Sequence, residues 1–220
     1  MPQHTGVVSR CLQTACRIRC RARSVLRFLR SSGYFYYMET TMKNTKVTLV
    51  PLRADDREQF IADNQWAFQY GAMEEFGMRD DSINEDGEII SRKTIEHCID
   101  DPNCETYRIM LDGRKVGGVI LKIDKETHHN HLEILFTVPD AHSKGIGYGA
   151  WQAVEALHPE TKVWETCTPY FEKRNIHFYV NKCGFRIVEF FCEYHTDPNA
   201  PEDNNQEGPD EMFRFVKIMK

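Results

Sequence analysis

Residues 131–155, HLEILFTVPDAHSKGIGYGAWQAVE, read as an apolar strand, a six-residue turn, a glycine-rich loop and an amphipathic helix. Glycines at 145, 147 and 149 carry no side chain to keep a phosphate away from the main chain. The helix that follows aims its unsatisfied N–H groups and positive dipole end back into that loop. Together these features predict a seat for a pyrophosphate.

Working outward, KVTLVPLR at 46–53 alternates apolar and polar residues as a first strand does. Asp55 reads as the N-cap of a helix over 55–73 that carries Phe60, Ile61, Trp66, Phe68 and Tyr70. A polar loop over 79–88 precedes a second helix at 91–99, which stops before Asp101-Pro102. Strands at 106–111 and 116–123 flank the turn signal Asp112-Gly113. A histidine-bearing loop leads into the strand at 131–138. The helix at 145–157 places Gly147, Ala150, Trp151, Val154 and Leu157 on one buried face. A short strand at 162–166 and a helix at 175–182 follow. Strands at 185–194 and 212–218 close the chain around a segment too polar and proline-rich to pack. The order β-α-α-β-β-β-α-β-α-β-β predicts one α/β domain, antiparallel in front, with a parallel crossover around the glycine loop.

Composition narrows the function classes. No apolar run reaches the roughly 18 residues that suggest a membrane span. The eight cysteines lack paired spacing and read as reduced thiols of an intracellular, cytoplasmic protein. The net charge of −5 conceals a split: residues 1–41 hold seven arginines and one acid, leaving the rest at −11. An acidic body speaks against nucleic acid as a partner and suits a cationic amine. The leader is arginine-rich as organelle transit peptides are, though a start at Met38 or Met42 is the preferred reading; either way it falls outside the fold.

The loop His142-Ser143-Lys144-Gly145-Ile146-Gly147, set after the fourth strand, resembles the signature of the GNAT superfamily of acyl-CoA-dependent N-acetyltransferases. That signature is Gln or Arg, two variable residues, Gly, one variable residue, then Gly or Ala; His142 departs from it. A second match lies in RNIHFYVNKCGF, where Asn175, Phe178, Tyr179, Lys182, Gly184 and Phe185 fit the helix that ends in Gly-Phe. The family's tyrosine stands four residues before that glycine, and Tyr179 stands five before it. Either one extra residue is accommodated or the acid is missing. A third match, Glu133-Ile134-Leu135-Phe136, looks like the strand that carries a glutamate base in histone-acetylating members.

The resemblance covers residues 46–220. It implies a mixed α/β sheet, mostly antiparallel, whose fourth and fifth strands run parallel and splay apart, flanked by helices. It implies acetyl-CoA as cosubstrate, with no metal. Phe136, Thr137, Val138, His142, Ser143, Lys144, Gly145, Ile146, Gly147, Tyr148, Gly149 and Asn175 are then the cofactor-binding residues. It further implies a small-molecule or peptide amine as acceptor, no membrane partner, and a homodimer through the C-terminal strands.

Acetyl transfer from a thioester needs a group to take the amine proton, a donor for the oxyanion and a proton for the departing thiolate. Glu133, on the face expected to include Leu135 and Thr137, is the candidate base, and Tyr179 the candidate acid. Each has a plainer reading: an ion pair for Glu133, core packing for Tyr179, an N-cap for Asn175. A non-catalytic acyl-CoA-binding module is the rival function, favoured by His142 and the displaced tyrosine. The glycines also satisfy the dinucleotide pattern G-x-G-x-x-A, but Pro139 to Lys144 intervene between strand and glycines and no further βαβ repeat follows. His128, His129 and His131 lack the spacing of a metal site. Glu74, Glu75, Asp80 and Asp81 form an acidic cluster suited to attracting an amine or to simple solvation.

Overall fold

A seven-stranded sheet in the order β1-β2-β3-β4-β5-β7-β6 carries the fold. The computed structural model describes residues 46–76, 88–141, 145–198 and 211–220. The arginine-rich leader, the acidic pair Asp80 and Asp81, residues 142–144 and most of the loop before the last strand lie outside the described residues.

Strand β1 (Val47–Pro51) leads through a 3-10 turn (Ala54–Asp56) into α1 (Arg57–Phe76). Asp55 is not an N-cap: it sits inside that turn and accepts both 3.0 Å hydrogen bonds from the Arg53 guanidinium. Helix α2 (Arg92–Asp100) begins as expected, with Ser91 Oγ accepting from the Thr94 N–H at 3.0 Å. Strands β2 (Cys104–Leu111) and β3 (Arg114–Lys122) form the expected hairpin, and positive φ angles at Asp112 (50°) and Gly113 (76°) close a two-residue turn. Then come β4 (His129–Thr137), α3 (Ile146–Leu157), β5 (Val163–Pro169) and α4 (Lys173–His177). Helix α4 widens into a π-helical turn over Phe178–Cys183 before the closing pair β6 (Arg186–Phe191) and β7 (Met212–Ile218). No helix among the described residues is long and apolar enough to cross a membrane.

Two apolar layers sandwich the sheet. On one face α3 and the widened α4 bury Trp151, Val154, Tyr179, Cys183 and Phe185 against Leu121, Leu132, Trp164 and Phe215. On the other, α1 and α2 bury Phe60, Ile61 and Ile95 against Ile120, Ile134 and Phe136. Leu157, expected in the core, is exposed; Ile146 fills the buried stripe of α3 instead.

Every neighbouring pair of strands is antiparallel except β4 and β5. Those two pair in parallel over only three positions, His129–His131 with Val163–Glu165, and then part. A bulge accompanies the parting. Ile120 faces Ile134 and Leu121 faces Leu132, so Glu133 is an extra residue in the β3–β4 ladder. Alternation therefore slips by one. Leu132 packs with Trp151 and Trp164, whereas Ile134, two residues on, packs with Phe60 and Ile95. The expected common face for Glu133, Leu135 and Thr137 fails here: Leu135 packs on the α3 side, and the Glu133 carboxylate lies near Cys98 of α2.

Candidate active site

A cleft of about 930 Å³ opens where β4 and β5 separate. Its walls come from Ala67, Phe68 and Gly71 of α1, residues 135–137 of β4, the start of α3, and α4 with its π turn. Its charged lining residues are Arg174 and Lys182, both cationic, and Glu172; His177 stands beside them. With the N-terminus of α3 at the same opening, the cleft favours an anion.

Of the expected cofactor-binding residues, Phe136, Thr137, Gly145, Ile146, Gly147, Tyr148 and Asn175 line this cleft. His142, Ser143 and Lys144 lie outside the described residues. Val138 packs with Ile109 and Ala141 rather than lining the cleft. The three glycines differ in kind. Gly145 caps α3 at φ 73°, a conformation that L side chains rarely adopt. A Cβ on Gly147 would meet nothing nearer than the Phe178 ring, 3.5 Å away, so the space beside it is free for a ligand. A Cβ on Gly149 would stand 2.9 Å from Val47 Cγ2, so that glycine serves the packing of α3 on β1.

Asn175 is not an N-cap, because α4 starts two residues earlier with Glu172 before it. Its amide donates to Glu172 Oε2 at 3.0 Å and reaches Thr168 Oγ1 on β5 at 3.5 Å. Tyr179 is the second residue of the widened turn, and the Gly184 N–H donates to the Tyr179 carbonyl five residues back. That i→i−5 bond absorbs the extra residue counted between Tyr179 and Gly184. The Tyr179 side chain lines the cleft yet is buried among Phe178, Phe185 and Phe215. Burial pushes its phenol well above the ordinary value, opposed by a hydrogen bond with the Thr166 side chain.

Glu133 does not line the cleft. Its Oε1 lies 3.2 Å from His131 Nδ1, off the line of a good hydrogen bond. Burial works to raise its pKa, but His131 and Lys122 outweigh that and hold the carboxyl below the usual range. It is ionised at neutral pH. The other histidines diverge: His129 Nε2 pairs with Glu165 at 3.0 Å, and the His128 carbonyl accepts from the Lys162 N–H. No cluster suited to a metal ion occurs among the described residues. Burial pushes the thiols of Cys98 up to about 11 and of Cys104, Cys167 and Cys183 up to about 12, so none of these four offers a thiolate at neutral pH.

Asn64 and Thr166 are among the buried polar residues that escaped the sequence reading. Asn64 sits in the apolar stripe of α1, fully buried, with neither amide atom hydrogen-bonded. Its signal was a polar residue among Phe60, Ile61, Ala67 and Phe68. Thr166 is buried where β4 and β5 part, and its Oγ1 donates to the Leu132 carbonyl at 2.9 Å.

The sequence model described as "Acetyltransferase (GNAT) family" matches residues 64–185. An uncharacterized protein of Bacillus subtilis (strain 168), YrkN, is 43% identical over 185 residues, spanning 82% of this chain and 97% of its own. Among solved structures, the PaiA N-acetyltransferase of Thermoplasma acidophilum in complex with coenzyme A superposes with a TM-score of 0.55 at 16% identity, covering 79% of this chain and 99% of that one. The spermidine N-acetyltransferase of Vibrio cholerae in complex with CoA and spermine also scores 0.55, at 13% identity over 79% and 95% of the two chains.

Proposed function

Because this chain belongs to the acetyltransferase (GNAT) family, we propose that it moves an acetyl group from acetyl-CoA directly onto a primary amine. The observation that carries this reading is the gap between β4 and β5, which opens at the glycine-capped start of α3. Main-chain amides around Gly145 and Gly147 suit the diphosphate, and the cationic side chains of α4 suit its charge. The parted strands leave a slot for the extended arm of the carrier.

In the transfer, the amine nitrogen attacks the thioester carbonyl carbon and the carbon–sulfur bond breaks. Glu133, ionised and on the α2 side of β4, takes the amine proton through water. Tyr179, neutral at working pH, gives its phenolic proton to the leaving thiolate. Main-chain N–H groups near Thr137 polarise the carbonyl. The protonated thiols of Cys98, Cys104, Cys167 and Cys183 speak for direct transfer over an acyl-enzyme. Around Cys167 the carboxylates Asp197, Glu165 and Glu133 outnumber the one opposing cation, Arg214, which suits a cationic acceptor, as does the spermine in the Vibrio cholerae complex. Strand β6, at the sheet edge with Ile187, Val188 and Phe190 exposed, supports pairing into a homodimer.

The test is thiol release from acetyl-CoA across a panel of polyamines, amino acids and peptides. Turnover with any amine supports the enzyme. The alternative, a non-catalytic acyl-CoA-binding module, is favoured by a base outside the cleft lining and a phenol buried in the core. Heat stabilisation by CoA with no turnover on any amine selects it.

A further inference from the structure

The wall that α4 and its π turn give to the cleft has two layers. Asn175 and Phe178 are half-buried and Tyr179 is buried, whereas Arg174, His177, Asn181 and Lys182, which line the same cleft, are exposed. Residues 174, 177 and 181 follow one another at steps of three and four, so they share one side of the helix. A hydrogen bond fixes part of that row: Asn181 Nδ2 stands 3.0 Å from His177 Nδ1. An amide nitrogen can only donate, so Nδ1 accepts and the ring proton sits on Nε2, itself a donor. Arg174 and Lys182 have no acidic partner among the described residues. The outer layer is thus a rim of hydrogen-bond donors with two uncommitted cations.

This rim is longer than one diphosphate. Eight residues separate Arg174 from Lys182, a rise of about 12 Å along a helix. The glycine wall comes close between them, since a Cβ on Gly147 would lie 3.5 Å from the Phe178 ring. A diphosphate seated on the amides of Gly145 and Gly147 therefore faces the middle of the row and leaves much of it over. CoA brings a third phosphate, a monoester on the ribose 3′-oxygen, at the end of the molecule away from the thiol. With the arm in the slot, that end stays at the mouth, where the exposed layer is.

We propose that the outer row of α4, Arg174, His177, Asn181 and Lys182, is a subsite for the 3′-phosphate of the carrier, so that the protein distinguishes CoA from dephospho-CoA. The inference rests on CoA being the carrier that the cleft holds. The diphosphate is left to the main-chain amides of the glycine loop, and the monoester to side chains. Its three terminal oxygens accept from the donors of the row, and its charge is met by the two cations. Because the row is exposed, salt screens this part of the binding.

Calorimetry with CoA and with dephospho-CoA, which lacks only that phosphate, decides it. At low salt the wild-type protein is expected to bind CoA roughly tenfold more tightly than dephospho-CoA, and by a smaller factor at high salt. The double variant Arg174→Gln, Lys182→Gln should bind both ligands alike, with the affinity that wild type has for dephospho-CoA. Both positions are exposed, and an unchanged thermal midpoint checks that the variant is folded. Should it fail to fold, His177→Ala alone is expected to narrow the preference without changing the affinity for dephospho-CoA. Equal affinities in wild type overturn the subsite, and so does a variant that loses both ligands equally, which assigns the cations to the diphosphate. Either of those results leaves the acetyltransferase standing. A wild-type protein that binds neither ligand overturns the proposed function and the subsite with it, whereas one that prefers CoA yet acetylates no amine keeps the subsite and loses the enzyme.

Discussion

Glu133 carries its charge at the one position between His131 and Thr137 of β4 that has no partner across β3 in the described ladder. A bulge re-aims a side chain, and nothing in HLEILF marks where one falls, so its surroundings were not legible from alternation. If Glu133 is the base, Glu133→Gln should lower kcat/KM by about 100-fold while the thermal midpoint holds. Its depressed pKa also sets a pH limit. Activity should be level at neutral pH and decline only as pH falls through a value below the ordinary 4.5 of glutamate. A limb near neutrality assigns the proton to another group. Asn64 belongs to the same scale. With neither amide atom paired, Asn64→Leu should leave the thermal midpoint equal to or above wild type. A fall in the midpoint indicates a buried water that the amide holds.

At the scale of elements, the glycine loop and α3 were legible because phosphate binding demands small residues before a helix start. Their separate duties were not. Gly147→Val has room in the apo fold and should keep the thermal midpoint within a few degrees while weakening CoA binding at least tenfold by calorimetry. Gly149→Val meets Val47 and should lower the midpoint by several degrees, with a cost of about 1–3 kcal/mol. The π turn was readable only as a count, one residue too many between Tyr179 and Gly184. Because that turn stores a single residue, deleting Asn181 is expected to yield a folded protein with an ordinary helix, checked by circular dichroism and thermal melting. The helix start at Lys173 escaped notice because Glu172 gives no side-chain cap.

Across the whole molecule, the element order and strand pairing were legible because hydrophobic period and turn chemistry agree along most of the chain. The ion pairs that brace it were not, since they join distant residues. Arg108, almost fully buried, donates to Asp56 at 2.8 and 3.0 Å and to Asp63 at 2.7 Å, fastening α1 and its preceding turn to β2. The Arg108 hydrogen bond holds the Asp56 carboxyl below the usual range, against burial. The folded state thus binds that proton less readily than the unfolded chain. This stability is present above the ordinary aspartate range and lost as pH falls through the depressed value, so urea midpoints should drop on acidification less steeply in Asp56→Asn. Removing residues 1–41 should leave both the melting temperature and CoA affinity as they are. Finally, the sheet is stitched closely along its other seams and by only three rungs between its two halves. Such a fabric tears along its weakest line. A guest lodged in that seam works as a rivet, and the empty protein should exchange the amide protons of β5 faster than the loaded one.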